Sequence, residues 1–220
     1  MSILIRFYII GIFLLSSITI RASNYTIKNV PIEIASFWLS HSYVINPLNK
    51  NRFTFHNNFS LLSNNNKINY YPDIGFGFKV SKNLVLMASV FAKNLEESSL
   101  QVIGSGAQYF FGAIDTLEWV TSLRRVDMKV LKYFYISNLT FDISKWFQYK
   151  ILSYRLGSGT SFFKKHNYSE NTNSLKNKSG QINFLFFSVI LPIQKFNIGI
   201  ETKMNKNRIF FSLLFNKEFF

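Results

Sequence analysis

Ionisable side chains recur at alternate positions along much of this 220-residue chain, with apolar residues between them. Successive side chains of a β-strand point to opposite faces, so such a run predicts a strand with one polar and one apolar face. The polar faces carry both signs of charge. We expect them to form a paired structural network, with the lining of a narrow channel as the alternative. The predicted network comprises Arg52, His56, Asp73, Lys79, Glu118, Arg124, Asp142, Arg155, Glu201 and Arg208.

The three histidines are not spaced for catalysis or metal binding. His41 precedes the regular strands, His56 lies within the first of them, and His166 has no neighbouring aspartate in the sequence. His166 and Glu170 are four residues apart, but a zinc site needs three or four ligands. There is no cysteine to form a disulfide or a thiolate site. We therefore expect no enzymatic activity, no metal and no cofactor.

The apolar faces of the same strands hold much of the aromatic content of the chain. Hydrophobic residues make up 48% of the sequence and aromatic residues 18%, yet the mean hydropathy is only +0.09. This combination is typical of transmembrane strands, in which lipid-facing and lumen-facing residues alternate. The residues predicted to face lipid include Phe53, Phe55, Ile74, Phe76, Phe211, Leu213 and Phe215.

The alternation runs from residue 51 to residue 220 and divides into about ten strands. Each predicted strand is about as long as, or longer than, the roughly 9–11 residues that a tilted strand needs to cross a membrane. The predicted fold is all-β: a transmembrane, antiparallel, up-and-down β-barrel, with a range of roughly eight to twelve strands open. Polar turns are expected at 127–130 and 144–147, among others. The longest polar segment, 164–179, is predicted to be a surface loop outside the cell.

Two segments precede this barrel. Residues 1–22 have a basic start, a short apolar run and a small residue at Ala22, which is the arrangement of a secretory signal peptide. Residues 23–50 are predicted to form a periplasmic or lumen-plugging segment, because counting 30–46 as a wall strand would make the strand number odd. That stretch fits either a helix or a strand and is broken at Asn46-Pro47. The break is similar to one in barrels of the fatty-acid transporter type, whose N-terminal segment packs inside the barrel.

The last predicted strand, 208–220, carries Ile209, Phe211, Leu213 and Phe215 on one face. A C-terminal aromatic strand after a signal peptide resembles the closing strand of bacterial outer-membrane β-barrels. The resemblance implies a Gram-negative outer-membrane location with the C-terminus in the periplasm, and as partners the lipids and the barrel-assembly machinery of that membrane. Phe220 is out of phase with the apolar face, which indicates a local bulge or an effective strand end at Phe219.

The net charge of +14 adds anionic glycolipid to the expected partners. Basic residues are dispersed along faces and loops and the chain is predicted to be exported, so we expect no nucleic-acid binding. No pattern specifies an oligomeric state. The expected role is structural, surface-interacting or narrowly channel-forming. The alternative is a secreted or periplasmic soluble barrel that binds an apolar ligand, and it predicts the opposite arrangement, with Phe53, Phe76 and Phe211 in the core.

Overall fold

The computed structural model describes residues 32–41, 43–47, 51–64, 67–95, 98–113, 117–131, 133–168, 178–194 and 196–219. The predicted signal peptide, 1–22, lies outside these ranges. Within them the chain forms one helix, α1 (Ile32–Leu39), followed by ten strands. The strands are β1 (Phe53–Asn64), β2 (Lys67–Lys79), β3 (Leu84–Leu95), β4 (Ser98–Phe111), β5 (Trp119–Val130), β6 (Phe134–Tyr149), β7 (Leu152–Asn167), β8 (Lys178–Ile193), β9 (Phe196–Asn205) and β10 (Arg208–Phe219).

The ten strands form one closed antiparallel ring. Each strand pairs with its neighbours in the chain, and β1 completes the ring by pairing with β10, with Phe53 opposite Phe219 and Leu61 opposite Phe211. Closure gives every strand two hydrogen-bonded neighbours, as a wall surrounded by lipid requires. The shortest ladder joins β2 to β3 and runs only from Gly75 opposite Ser89 to Lys79 opposite Val85. The predicted up-and-down β-barrel and its strand number are confirmed. We call the end where β1 begins the closing end, and the end where β7 stops and β8 begins the opposite end.

Two predicted turns are wrong. Residues 127–130 belong to β5, where Asp127 pairs with Ser137, and the strand ends only at Val130. Residues 144–147 continue β6, because Ser144 and Trp146 still face inward while Phe147 faces outward. The turn follows at 150–151, where Lys150 adopts a φ of 52°. Regular alternation thus persists through short polar stretches that resemble turns when only residue types are considered.

The wall exposes its apolar residues and buries its polar ones. Phe53, Phe76 and Phe211 are 49%, 53% and 52% exposed. Leu213 is exposed as well, and Phe55, Ile74 and Phe215 lie half-buried on the same outer face, with the Phe55 ring 5.3 Å from that of Phe76. The soluble-barrel alternative is wrong for this chain, since it requires these side chains in the core.

The described part of the N-terminal segment, 32–41 and 43–47, lies inside the ring, and we call it the plug. Buried carbonyl groups of an irregular segment need hydrogen-bond donors, and here the wall supplies them. The carbonyls of Ser36, Phe37, His41, Tyr43, Val44 and Pro47 accept hydrogen bonds from Asn138, Lys203, Arg124, Gln108, Asn216 and Lys79, in that order. These donors lie on six different strands, so the wall holds the plug from all around.

The plug runs along the barrel from the opposite end to the closing end. Near its start, Glu33 of α1 pairs with Lys178, the first residue of β8. At its finish, the Pro47 carbonyl accepts a hydrogen bond of 3.1 Å from Lys79, the last residue of β2. The chain therefore passes through the lumen before it enters the wall at β1.

A plug is needed because a ten-strand ring is wider than the roughly eight strands whose own side chains fill the interior. In α1 only Glu33 escapes burial, and the Phe37 ring packs 5.0 Å from that of Phe210. Farther along, a Cβ at Gly75 would lie 2.5 Å from the Tyr43 hydroxyl oxygen, so only glycine admits the tyrosine there. No helix in the described ranges is long and apolar enough to cross a bilayer.

Candidate functional site

The first cluster in the lumen is centred on Arg124, an inward residue of β5. Its guanidinium donates to both carboxylate oxygens of Asp73 on β2, at 3.0 and 3.2 Å. It also donates to the Tyr43 hydroxyl at 3.2 Å, to Ser89 at 3.1 Å and to the carbonyl of His41. A two-point contact between guanidinium and carboxylate is strong and directional. Arg124 thus joins β2, β3 and β5 to the plug.

The second cluster is centred on Arg155 of β7, which is 1% exposed. Its guanidinium lies 3.5 Å from Asp142 of β6 and 3.8 Å from Glu201 of β9. Its Nε donates to Ser144 at 3.1 Å, and its Nη1 donates to the Tyr43 carbonyl at 3.5 Å. The two clusters therefore share Tyr43 of the plug.

Serine hydroxyl groups replace hydrogen bonds from water that the two acids of this cluster lose on burial. Ser122 donates to Asp142, and Ser188 donates to Glu201 at 2.7 Å. Carboxylates buried without such donors would be strongly destabilising. Hydrogen-bond donors and cations therefore surround each of these two acids and offset the cost of burying its charge.

His41 and Ser40 of the plug extend the network to β9. Lys203 donates to the Ser40 hydroxyl at 2.6 Å, and its Nζ lies 4.0 Å from the centre of the Phe184 ring. The Nδ1 of His41 is 3.3 Å from Glu201, and Asn58 lies 3.3 Å from its Nε2. A neutral imidazole with the proton on Nδ1 satisfies both contacts, because it donates to the carboxylate and accepts from the amide.

The charges at the centre of the lumen cancel. Three acids and three bases meet there, and each is between 1% and 7% exposed: Asp73, Asp142, Glu201, Arg124, Arg155 and Lys203. Ions removed from water need partners of opposite charge, and equal numbers provide them. The excess positive charge of the chain must therefore lie elsewhere.

Six of the ten residues predicted for the polar network lie together in the lumen: His56, Asp73, Arg124, Asp142, Arg155 and Glu201. His56 is fully buried, lies 2.9 Å from Asn216 through its Nδ1, and stacks on the ring of Tyr43 at 4.6 Å. The alternation of side chains placed these residues on the inner face, and closure of the ring brought distant strands together around the plug.

The other four predicted residues lie at the barrel ends. Lys79 is half-buried at the closing end and Arg208 half-buried at the opposite end. Glu118 precedes β5 and pairs at 3.1 Å with the outward-facing Lys145, so its place in the lumen network is corrected. Arg52 is corrected too, because it precedes β1 and is exposed to solvent. Inward phase does not ensure burial once a residue lies beyond the last pair of the ladder.

The plug residues Ser40, His41 and Tyr43 were missing from the predicted network. The sequence signals for them were the odd strand count that excluded 30–46 from the wall and the break at Asn46-Pro47. Neither signal assigns a partner to a side chain. Among the described residues, no group of three His, Asp or Glu side chains is placed to hold a metal ion.

No family model and no curated protein matches the chain. Among solved structures it is similar to a bacterial polysaccharide outer membrane secretin, with a TM-score of 0.43 and 3% identity over 78% of this chain and 77% of that one. It is also similar to Ail, the attachment invasion locus protein of Yersinia pestis, with a TM-score of 0.29 and 8% identity over 76% and 95% of the two chains. Ail in complex with the heparin analogue sucrose octasulfate gives a TM-score of 0.30 and 12% identity over the same shares.

Similarities of this size carry no information about ligand or activity. The class of the protein follows instead from the geometry of the wall and the lumen. A closed antiparallel ring exposes aromatic and aliphatic side chains, and paired charges lie within it. The chain has the architecture of a bacterial outer-membrane β-barrel.

Proposed function

We propose that this protein is an integral outer-membrane β-barrel that is closed to solutes and has a structural or surface-interacting role. The observation that carries the proposal is the plug, whose backbone is hydrogen-bonded to six strands through the length of the lumen. At the centre of the lumen, Tyr43 of the plug and Arg155 of β7 are each 1% exposed. Side chains that line a water-filled pore would be more exposed. A narrow channel is therefore the less favoured role.

The proposed orientation puts the closing end, with the end of β10, in the periplasm and the opposite end outside the cell. Connections at the closing end include the two-residue turn at 150–151, whereas the longest interval between strands, 168–177, lies at the opposite end. Short periplasmic turns and longer outer loops are the habit of such barrels. The expected partners are outer-membrane lipids, including anionic glycolipid, and the barrel-assembly machinery.

No catalytic activity forms part of this proposal. His41 and His56 are at most 2% exposed, so a substrate has no access to either ring. His166 lies near the opposite end, where its ring is 6.3 Å from that of Tyr135. Its described ring contact is thus aromatic, while general acid–base chemistry of the protease type needs an acid beside the histidine.

Membrane insertion is tested by fractionation of the expressed full chain. We expect recovery in the outer-membrane fraction, extraction only with detergent, and faster electrophoretic migration of the unheated protein because the closed ring resists unfolding by dodecyl sulfate at room temperature. Release by osmotic shock without detergent would contradict the proposal.

Closure of the lumen is tested by conductance in planar bilayers. We expect the intact chain to insert without steady conductance, and a variant in which a flexible Gly-Ser linker replaces 32–47 to conduct. The matched control is a variant with Gly-Ser in place of the exposed turn at 206–207, which leaves the plug intact and should stay silent. Steady conductance of the intact chain would show that the plug does not close the barrel.

A further inference from the structure

A shallow groove of about 330 Å³ lies on the outer wall toward the opposite end of the barrel. Three neighbouring strands contribute to it, with Arg125 of β5, Leu139 of β6 and Phe162 of β7 side by side in the register. One row nearer the opposite end, Ser137 lies beside Lys164, and in the next row Tyr135 lies beside His166. All of these residues face outward, away from the lumen network.

The charged part of the groove is organised around Asp127. The Tyr135 hydroxyl donates to one carboxylate oxygen of Asp127 at 2.7 Å, and the Nε of Arg125 lies 3.4 Å from the other. Lys129 places its ammonium group 5.9 Å from the centre of the Tyr135 ring. Asp127 and Tyr135 thereby hold Arg125 in position while its side chain stays 62% exposed.

Positive charge is in excess in this part of the groove. Arg125 and Lys164 line the groove, and Lys129 lies at its edge against the Tyr135 ring. Among the described residues, Asp127 is the acid in contact with this cluster, through Arg125. The Lys164 side chain is exposed, and its ammonium group has no hydrogen bond or ion pair with any described residue. Elsewhere on the outer wall, at the closing end, Lys145 is neutralised by Glu118 at 3.1 Å. An uncompensated cluster of cations on a lipid-facing wall indicates an anionic ligand.

Beside Arg125, in the same row, the groove is apolar on β6 and β7. Leu139 and Phe162 are 45% and 49% exposed, and the next row inward along β6 is Phe141 at 47%. Lys164 lies one row nearer the opposite end, Arg125 lies beside the exposed hydrocarbon, and Phe141 continues that hydrocarbon toward the middle of the wall. This arrangement matches a molecule with an anionic head and an acyl chain. A free inorganic ion would leave the apolar part uncovered.

We propose that this groove binds a phosphorylated glycolipid of the outer leaflet. Arg125 and Lys164 hold its phosphate, and an acyl chain lies on Leu139 and Phe162. Guanidinium matches phosphate through paired N–H donors, and Lys164 adds a mobile point charge. The inference rests on the proposed function in one respect, because the outer-membrane orientation sets this face in the outer leaflet.

The test is retention of lipid A by refolded full-length protein in detergent micelles, followed by native mass spectrometry. We expect wild type to retain diphosphoryl lipid A and the Arg125→Ala/Lys164→Ala double variant to bind it at least about tenfold more weakly. Lys217→Ala is the matched control, since Lys217 faces outward near the closing end and lies against the rings of Phe196 and Phe219. Its retention of lipid A should equal that of wild type.

Three outcomes would overturn the proposal: equal retention by the double variant, equal binding of chemically dephosphorylated lipid A, or complete displacement of lipid A by millimolar inorganic phosphate, which would indicate a free-phosphate site. Failure of the proposed outer-membrane location is recognised by a separate result, the release of the wild-type protein by osmotic shock without detergent. Every variant is first checked for the heat-modifiable band, so that loss of binding is read only from closed barrels.

Discussion

Arg124 and Arg125 are consecutive residues of β5 with the same side chain and opposite surroundings. Arg124 is 4% exposed and contacts an acid, a serine, a tyrosine and a plug carbonyl. Arg125 has a side chain that is 62% exposed and a single acid, Asp127, at 3.4 Å. The comparison shows that residue type alone assigns no role in a barrel wall, because the face of the strand decides the medium around the charge.

The difference has an energetic consequence. A buried cation loses its hydration and depends on every partner, so removing it leaves an acid uncompensated in a nearly dry interior. Arg125 lies on the outer face, and the acid that its loss would leave, Asp127, has a side chain that is 31% exposed rather than buried. Arg124 is therefore expected to stabilise the fold and Arg125 to bind a ligand.

The largest expected effect is that of Arg124→Ala. It should destabilise the barrel by about 3–5 kcal/mol, because Asp73 would remain buried without its cation. Arg125→Ala, the matched control on the next residue, should change stability by no more than about 0.5 kcal/mol. Urea unfolding of the protein in lipid vesicles measures both. Similar losses in the two variants would contradict the division of roles between the inner and outer faces.

The next effect concerns how an arginine is tolerated along the outer wall. Leu213→Arg places the charge at mid-strand on the lipid face of β10 and should cost about 2–4 kcal/mol. Phe53→Arg, at the first residue of β1 and thus near the closing end, should cost about 0–1 kcal/mol. The same vesicle assay compares them. Equal costs would show that the outer wall does not lie in a bilayer.

The smallest effect is expected for the exposed ion pair between Glu33 and Lys178. A hydrogen bond from Lys178 lowers the pKa of Glu33 below its usual value of 4.5. The folded state thus binds this proton less readily than the unfolded state, so the stabilisation is present above pH 4.5 and is lost as the pH falls through the folded-state pKa. Because both side chains are about half exposed, we expect less than about 1 kcal/mol.

Glu33→Gln measures this contribution. Relative to wild type, the variant should lose that small stability at pH 7 and lose less at pH 3, because the stabilisation diminishes below pH 4.5. Unfolding free energies at the two pH values give the difference directly. A greater loss at pH 3 than at pH 7 would contradict the pairing with Lys178.

Much of the wall could be predicted from residue types. Phe211 and Leu213 alternate with Ser212 and Leu214, so the strand and its two faces follow from a period of two. The alternation in β8 was harder to interpret, because Phe184 and Phe186 face inward while Leu185 and Phe187 face outward. An inner face is expected to be polar, and here it is apolar since it packs against the plug. A pattern with two apolar faces has no phase that composition can assign.

The sequence by itself determined the class of fold, a strand number of about ten and the two faces of each regular strand, because a repeat of two residues is a local property of the strand. Only the tertiary structure decided that Arg155 meets Asp142 and Glu201, that the plug crosses the lumen, and that Arg125 and Lys164 share a groove. Those contacts depend on the ladder register, on closure of β1 against β10 and on the path of the plug. They join residues that are far apart in the chain, so no local sequence pattern predicts them.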